Sequence, residues 1–354
     1  MKNKGLSWQI GAAYIGTVIG AGFASGQEIL QFFSSFGRIG IGTLFLSGLV
    51  FSLLGYAIFY ISLHQKTYNY KDFIYKLCGK KFGMFYDGFI TVFLFLGAGI
   101  MFSGSGAIFR ENLHMEPIIG IVVIAGFTLL VVLKSLDGIL KANSLIVPTL
   151  TTVIIIVLVK TLMGGTSENF VSNINTVYTG SAVKPIFYFL FYCSYNTVLS
   201  LGVLSAFAEN VKDIKVLKQG AIIGGLGLMG LSMFLNICLL LNMPGVFDYS
   251  VPMLIIAKKM GNIALQAVTV CVWFEILSTA IANVFSLSMR LSRKGGMNYK
   301  LICVIITIAS MPLALMDFKR LIAFFYPLFG ALSIMLIVYI LCYFVYLKGR
   351  NHRV

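Results

Sequence analysis

Apolar residues fall in ten long runs along this chain, at roughly 7–35, 38–63, 83–109, 117–133, 142–163, 185–208, 218–243, 262–289, 300–316 and 321–347. Short polar segments separate them. A helix of about 20 apolar residues crosses a bilayer, and no run shows the period-2 alternation of a membrane β-barrel. The pattern therefore predicts an all-α integral membrane protein with ten transmembrane helices in a single domain covering residues 1–354. Pro148 and Pro327 lie inside spans 5 and 10, where proline is expected to kink the helix.

Two spans carry polar interruptions. Span 1 reads Thr17-Val18-Ile19-Gly20-Ala21-Gly22-Phe23-Ala24-Ser25-Gly26-Gln27-Glu28, and span 6 reads Phe191-Tyr192-Cys193-Ser194-Tyr195-Asn196-Thr197-Val198-Leu199-Ser200-Leu201-Gly202. Both interruptions fall about a dozen residues into their span. Glycine weakens a helix, and loosened backbone is tolerated in a membrane only beside protein or a water-lined cavity. Spans five apart run in opposite directions. The sequence thus predicts a 5+5 inverted repeat, with repeat one at about 7–163 and repeat two at about 185–347. Discontinuous helices 1 and 6 would meet near the midplane, as in secondary transporters. Close helix packing is the competing explanation for the small residues.

Charge gives the orientation. Of the 27 Lys and Arg, 19 fall at the two termini and in the gaps after spans 2, 4, 6 and 8. Cytoplasmic loops carry such an excess, so both termini are expected to be cytoplasmic. The formal charge of +15 is spread over loops rather than gathered in one patch, which argues against nucleic-acid binding. None of the six cysteines forms a CxxC pair and the three histidines are far apart, so no disulfide framework, zinc site or cofactor is expected. No cleavable signal peptide is evident. The segments at about 164–184 and 244–261 suit either external gate elements or plain connections.

Span 8 holds Glu275 in Cys271-Val272-Trp273-Phe274-Glu275-Ile276-Leu277-Ser278-Thr279. An intramembrane carboxylate is costly and usually serves a cavity or a partner. Glu275 is the candidate for proton or charge coupling, with a hydrogen bond to a neighbouring helix as the structural alternative. Ser278 and Thr279 share its helical face. Span 3 brings Gly97-Ala98-Gly99 and Ser103-Gly104-Ser105-Gly106; its small residues suit close packing, and Ser103 is a candidate substrate contact. Glu28, two turns past the span-1 break, is expected near the outer mouth, opposite cations such as Arg38 or Lys184, as a gate candidate.

The layout, with Ile19-Gly20-Ala21-Gly22-Phe23 in span 1, resembles the amino acid–polyamine–organocation superfamily and its leucine-transporter fold. The longer string Gly20-Ala21-Gly22-Phe23-Ala24-Ser25-Gly26-Gln27-Glu28 is similar to the YkvI-like bacterial membrane proteins. The resemblance implies a site in the bacterial cytoplasmic membrane and alternating-access symport of a small amino acid or similar zwitterion or amine. It places substrate at Gly20, Ala21, Gly22, Phe23 and Ser25, with Tyr195 and Asn196 opposite. Sodium-coupled relatives imply a cation held by the carbonyls of Gly16 and Ile19 and the hydroxyls of Ser278 and Thr279. Proton-coupled relatives often place a lysine on span 5, where this chain has only Lys160 near one end. Sodium is therefore the favoured coupling ion and a proton the alternative. Some proteins of this fold are germinant-receptor-like sensors that bind without transport. An enzyme is not expected, because no intramembrane nucleophile pair is present.

Overall fold

The computed structural model describes residues 2–134, 152–164 apart from 154 and 158, 167–295 and 298–351. No strand occurs among them. Span 1 forms α1 (Lys2–Val18), α2 (Ala21–Ala24) and α3 (Gln27–Phe32), and a short 3-10 turn leads into α4 (Gly37–Gln65). There follow α5 (Tyr70–Glu111), α6 (Pro117–Lys134), a short apolar helix α7 (Ile155–Gly164), α8 (Ser167–Thr176), α9 (Val183–Asn210) and α10 (Ile214–Leu241). The chain ends with α11 (Pro252–Lys258), α12 (Asn262–Gly295), α13 (Tyr299–Ala314) and α14 (Phe318–Asn351). Among the described residues, six helices are long and apolar enough to cross a membrane, and α6, α7 and α13 are shorter apolar helices. Most of span 5, with the kink expected at Pro148, lies outside the described residues. Pro327 sits within α14, whose helix continues to Asn351.

The span-1 break is present and has two parts. Gly20 is extended, with φ −134° and ψ −169°, and separates α1 from α2. Gly26, with φ +81°, separates α2 from α3. The left-handed conformation at Gly26 disfavours any residue with a Cβ, so this second turn depends on glycine. Backbone freed by the breaks finds partners in protein. The Met253 N–H of α11 donates to the Ser25 carbonyl at 3.0 Å, and the Ser25 hydroxyl donates to the Gly22 carbonyl at 2.9 Å. The 244–261 segment is thus attached to the break rather than loose. In the other long segment, Asn173 of α8 donates to the Leu240 carbonyl at 2.7 Å and fixes α8 against α10.

Span 6 differs from the expectation. α9 is helical from Val183 to Asn210 without interruption, so helix 6 is not discontinuous. Its polar groups bond back onto their own helix. Ser194 donates to the Leu190 carbonyl, Thr197 to Cys193 and Ser200 to Thr197, at 2.7, 2.7 and 3.0 Å. The Asn196 amide donates to the Tyr192 carbonyl at 3.1 Å. Such back-bonding uses the spare lone pair of a carbonyl that still accepts its helical N–H, so the ladder survives. Only Gly202, at the end of the stretch, lacks a side chain.

Tight packing holds the broken span against its neighbours. Tyr14 of α1 is fully buried, lies against Gly55 of α4 and Gly224 of α10, and donates its hydroxyl to the Phe51 carbonyl at 3.0 Å. Small residues at such crossings let helix backbones approach closely. α9 meets α14 in the same manner: a Cβ on Gly330 would fall within 2.5 Å of the Phe191 Cα.

Candidate functional site

The span-1 break opens onto a central cavity of about 460 Å³ between α1–α3, α5, α9, α12 and α14. Gly16 through Gly22 form one wall. Tyr195 and Asn196 of α9 form another, Glu275, Ser278, Thr279 and Asn283 of α12 a third, and Tyr326 and Phe329 of α14 the fourth. Gly97 and Met101 are the contribution of α5 beside Phe93.

Most of the expected site residues meet here. Gly20, Ala21, Gly22, Tyr195 and Asn196 line the cavity, and so do Gly16, Ile19, Ser278, Thr279 and Glu275. A Cβ on Gly20 would lie 3.8 Å from the Thr279 hydroxyl, so the break directly faces that part of α12. The Ser278 hydroxyl donates to the Glu275 carbonyl at 3.0 Å. Oxygen ligands suit a hard cation, and the hydroxyl residues Ser278 and Thr279 line this wall opposite Gly16 and Ile19.

Three expected contacts are placed elsewhere. Phe23 packs in the apolar core. Ser25 is spent on the break itself, donating to Gly22 and accepting from the Gln27 N–H at 3.2 Å. Ser103 donates to the Met316 carbonyl at 2.6 Å and borders a separate recess beside Arg110 and Asp317. Its helix turns Gly97 and Met101 toward the cavity, and Ser103 lies nearer the Glu111 end of α5.

Glu28 is also placed differently. It does not lie at a mouth opposite Arg38 or Lys184. It is 3% exposed and lines the central cavity. One carboxylate oxygen accepts a hydrogen bond from the Tyr195 hydroxyl and another from the Asn196 amide at 3.2 Å. The left-handed turn at Gly26 ends the straight path from α2 and returns α3 toward the break. A Cβ on Gly22 would come within 2.7 Å of the other Glu28 oxygen and 3.2 Å of the Tyr326 ring. Glu28 thus ties broken span 1 to intact α9.

Several residues escaped sequence reasoning. Tyr326 lies 5.2 Å, centroid to centroid, from the Tyr195 ring. Asn283 packs its amide against Gly97, whose Cβ would approach it to 2.8 Å. Beyond Tyr195 a second chamber of about 200 Å³ runs past Phe93, Leu199 and Ser286 to Tyr70 and Gly202. At that end Arg290 of α12 pairs with Asp87 of α5 and donates to the Tyr70 hydroxyl. Both partners of the ion pair are almost wholly buried, with side chains 9% and 8% exposed. Asp87 within span 3 was the available signal, because a buried charge needs a partner.

The opposite end of α5 is closed by another polar network. Arg110 donates to Asp317 at 3.0 Å, the Ser250 hydroxyl donates to the same carboxylate at 3.2 Å, and Glu111 accepts from the N–H groups of Ser250 and Val251 at 2.7 and 3.2 Å. Partial burial pushes the Asp317 carboxyl upward. Hydrogen bonds from Arg110, the Arg320 N–H and Ser250 outweigh it and hold the group below the usual carboxylate range.

The chain is 30% identical over 344 residues to the uncharacterized membrane protein YkvI of Bacillus subtilis, covering 96% of this chain and 97% of the relative. It is 26% identical to the uncharacterized protein YyaD of the same organism, with 98% of each covered. No protein-family model matches it. Its structure is similar to a manganese transporter of Eremococcus coleocola, with a TM-score of 0.65 and 13% identity over 95% of this chain and 78% of that one. It is likewise similar to inward-facing Mhp1, with a TM-score of 0.66 and 11% identity over 92% and 73%. For MhsT in complex with L-phenylalanine the TM-score is 0.62, with 16% identity over 88% and 79%. These likenesses show the leucine-transporter fold. With this fold and a relative matched along nearly its whole length, the chain is a multi-pass membrane protein that belongs to the YkvI family.

Proposed function

We propose that the protein is a secondary active transporter that moves a small amino acid, or a similar zwitterion or amine, by alternating access coupled to a cation. The observation that carries this reading is the central cavity itself. It sits beside a broken helix, is large enough for a compact solute, and presents carboxylates, hydroxyls and aromatic rings together. The manganese transporter and the L-phenylalanine complex of MhsT lend support by sharing the fold.

Sodium is the proposed coupling ion, held by the Gly16 and Ile19 carbonyls and the Ser278 and Thr279 hydroxyls. The Glu275 carboxylate beside them is the alternative site of coupling, through a proton. With both termini cytoplasmic, as the lysine and arginine bias implies, the Asp87–Arg290 pair belongs to the inner gate and the Arg110–Asp317 network to the outer one. Each gate exchanges its polar contacts for water as the other forms. The ion gradient drives the cycle through the different affinities of the two states.

Uptake into proteoliposomes under an imposed sodium gradient tests the reading. Accumulation that disappears on collapsing the gradient supports it. Saturable binding without accumulation contradicts it and identifies a sensor. Ser278→Ala combined with Thr279→Ala is expected to raise the half-saturating sodium concentration about tenfold, equivalent to roughly 1.4 kcal/mol. An unchanged sodium titration removes the site.

A further inference from the structure

The charge inventory of the central cavity is one-sided. Among its described lining residues the charged side chains are Glu28 and Glu275, and no Lys, Arg or His stands with them. The two carboxylates differ in how they are used. Glu28 is tethered through one oxygen to Tyr195 and Asn196. Glu275 is 3% exposed, and its Oε2 has no hydrogen-bond partner among the described residues. A buried carboxylate oxygen left unpaired carries the full desolvation penalty of the group. Glu275 itself lines a chamber roomy enough to hold a partner for its carboxylate.

The rest of the wall completes a receptor of one polarity. Phe93, Tyr195, Tyr326 and Phe329 present aromatic surface, which attracts cations electrostatically and accommodates an apolar body. The face of the break that a substrate carboxylate would approach already holds an acid, because a Cβ on Gly22 would meet the Glu28 carboxylate at 2.7 Å. A solute carboxylate entering here faces two acidic side chains and no basic one.

We propose that the solute is an organic amine without a carboxylate, bound as its ammonium ion by Glu275 with its apolar body against the aromatic wall. This deepens the transporter reading and rests on it for the assignment of the cavity. Glu28 acts as a positioning residue, fixing Tyr195 and the break.

Two matched pairs of solutes test the proposal on the purified wild-type protein: phenethylamine against L-phenylalanine, and isoamylamine against L-leucine. At about pH 7.5 both amines are ammonium ions. Each amine is expected to raise the melting temperature, with a half-saturating concentration at least about tenfold below that of its amino acid. Glu275→Gln, melting like the parent without ligand, is expected to lose the shift. An amino acid that stabilises as well as its amine overturns the proposal, and so does the absence of a shift with both amines. If Glu275→Gln does not fold, the wild-type pairs decide alone. Uptake of labelled phenethylamine separates the two claims. Binding without accumulation defeats the transporter reading and leaves the amine site standing, whereas sodium-driven uptake of the amino acids in preference to the amines does the reverse.

Discussion

Spans 1 and 6 carry polar interruptions of similar length at similar depth, yet only span 1 opens. Span 1 spends glycines at 20, 22 and 26, and becomes three helices joined by an extended residue and a left-handed turn. Span 6 spends hydroxyls and an amide at 194, 196, 197 and 200, and remains one helix from Val183 to Asn210. A missing side chain frees backbone, whereas a short polar side chain bonds to a neighbouring carbonyl and stays in register. Side-chain polarity inside a membrane span therefore does not by itself mark a break. Tyr195 and Asn196 serve the cavity from an intact rod, as donors to Glu28 of the broken span.

Substitutions can break or sharpen this contrast. The largest effect is expected for Gly22→Leu, where the added side chain enters the space of Glu28 and Tyr326. Ligand binding, read by melting-temperature shift, should weaken about a hundredfold or more, equivalent to roughly 2.7 kcal/mol. Normal affinity would detach the break from the site. Tyr195→Phe removes one of the two donors that α9 extends to Glu28 and leaves the Asn196 amide. A hydrogen bond to a charged group contributes about 1.5–3 kcal/mol, so calorimetric affinity should fall about tenfold, and an unaltered value would make the tether incidental.

A smaller effect is expected at the clamp near the break. Asp317 holds Ser250, and the same segment reaches Ser25 through Met253. Because its folded carboxyl titrates below the ordinary range, its contribution is present above the unfolded pKa and is lost as pH falls through that range and below. Asp317→Asn should lower the melting temperature near neutral pH, with the difference from the parent shrinking in acid; a pH-independent difference would contradict this. The smallest effect belongs to Thr197→Val on α9, which removes one back-bonded hydroxyl. Binding should be unchanged and stability should fall by no more than about 1 kcal/mol, the net worth of one hydrogen bond. A large loss of binding would mean that the hydroxyl serves the solute.

The sequence made the all-helical membrane class and the first break legible, because hydropathy and glycine placement are local signals. The family resemblance put Gly16, Ile19, Ser278 and Thr279 in one candidate site near Glu275, and the structure lines one cavity with all five. The departures arise where a residue's place depends on the path of the chain. Glu28 was counted along a straight helix, and the turn at Gly26 brings it back to the cavity. Ser103 shares a helix with Gly97 but sits farther along it, beside Met316. Asn283 was within reach, since it follows Thr279 by four residues on the same face of span 8, whereas Tyr326 lies in a span whose local sequence gives no reason to single it out. With α9 intact, the inverted repeat loses the second helix break on which it was argued.

Hydrogen–deuterium exchange across the two spans tests the central contrast most directly, with and without the amine that gives the larger thermal shift. Amides at 19–23 should exchange faster than those at 192–202 and slow when the amine is added, while the 192–202 amides stay protected throughout. Equal protection of both segments, unmoved by ligand, would contradict an open span 1 facing a closed span 6 across the binding chamber.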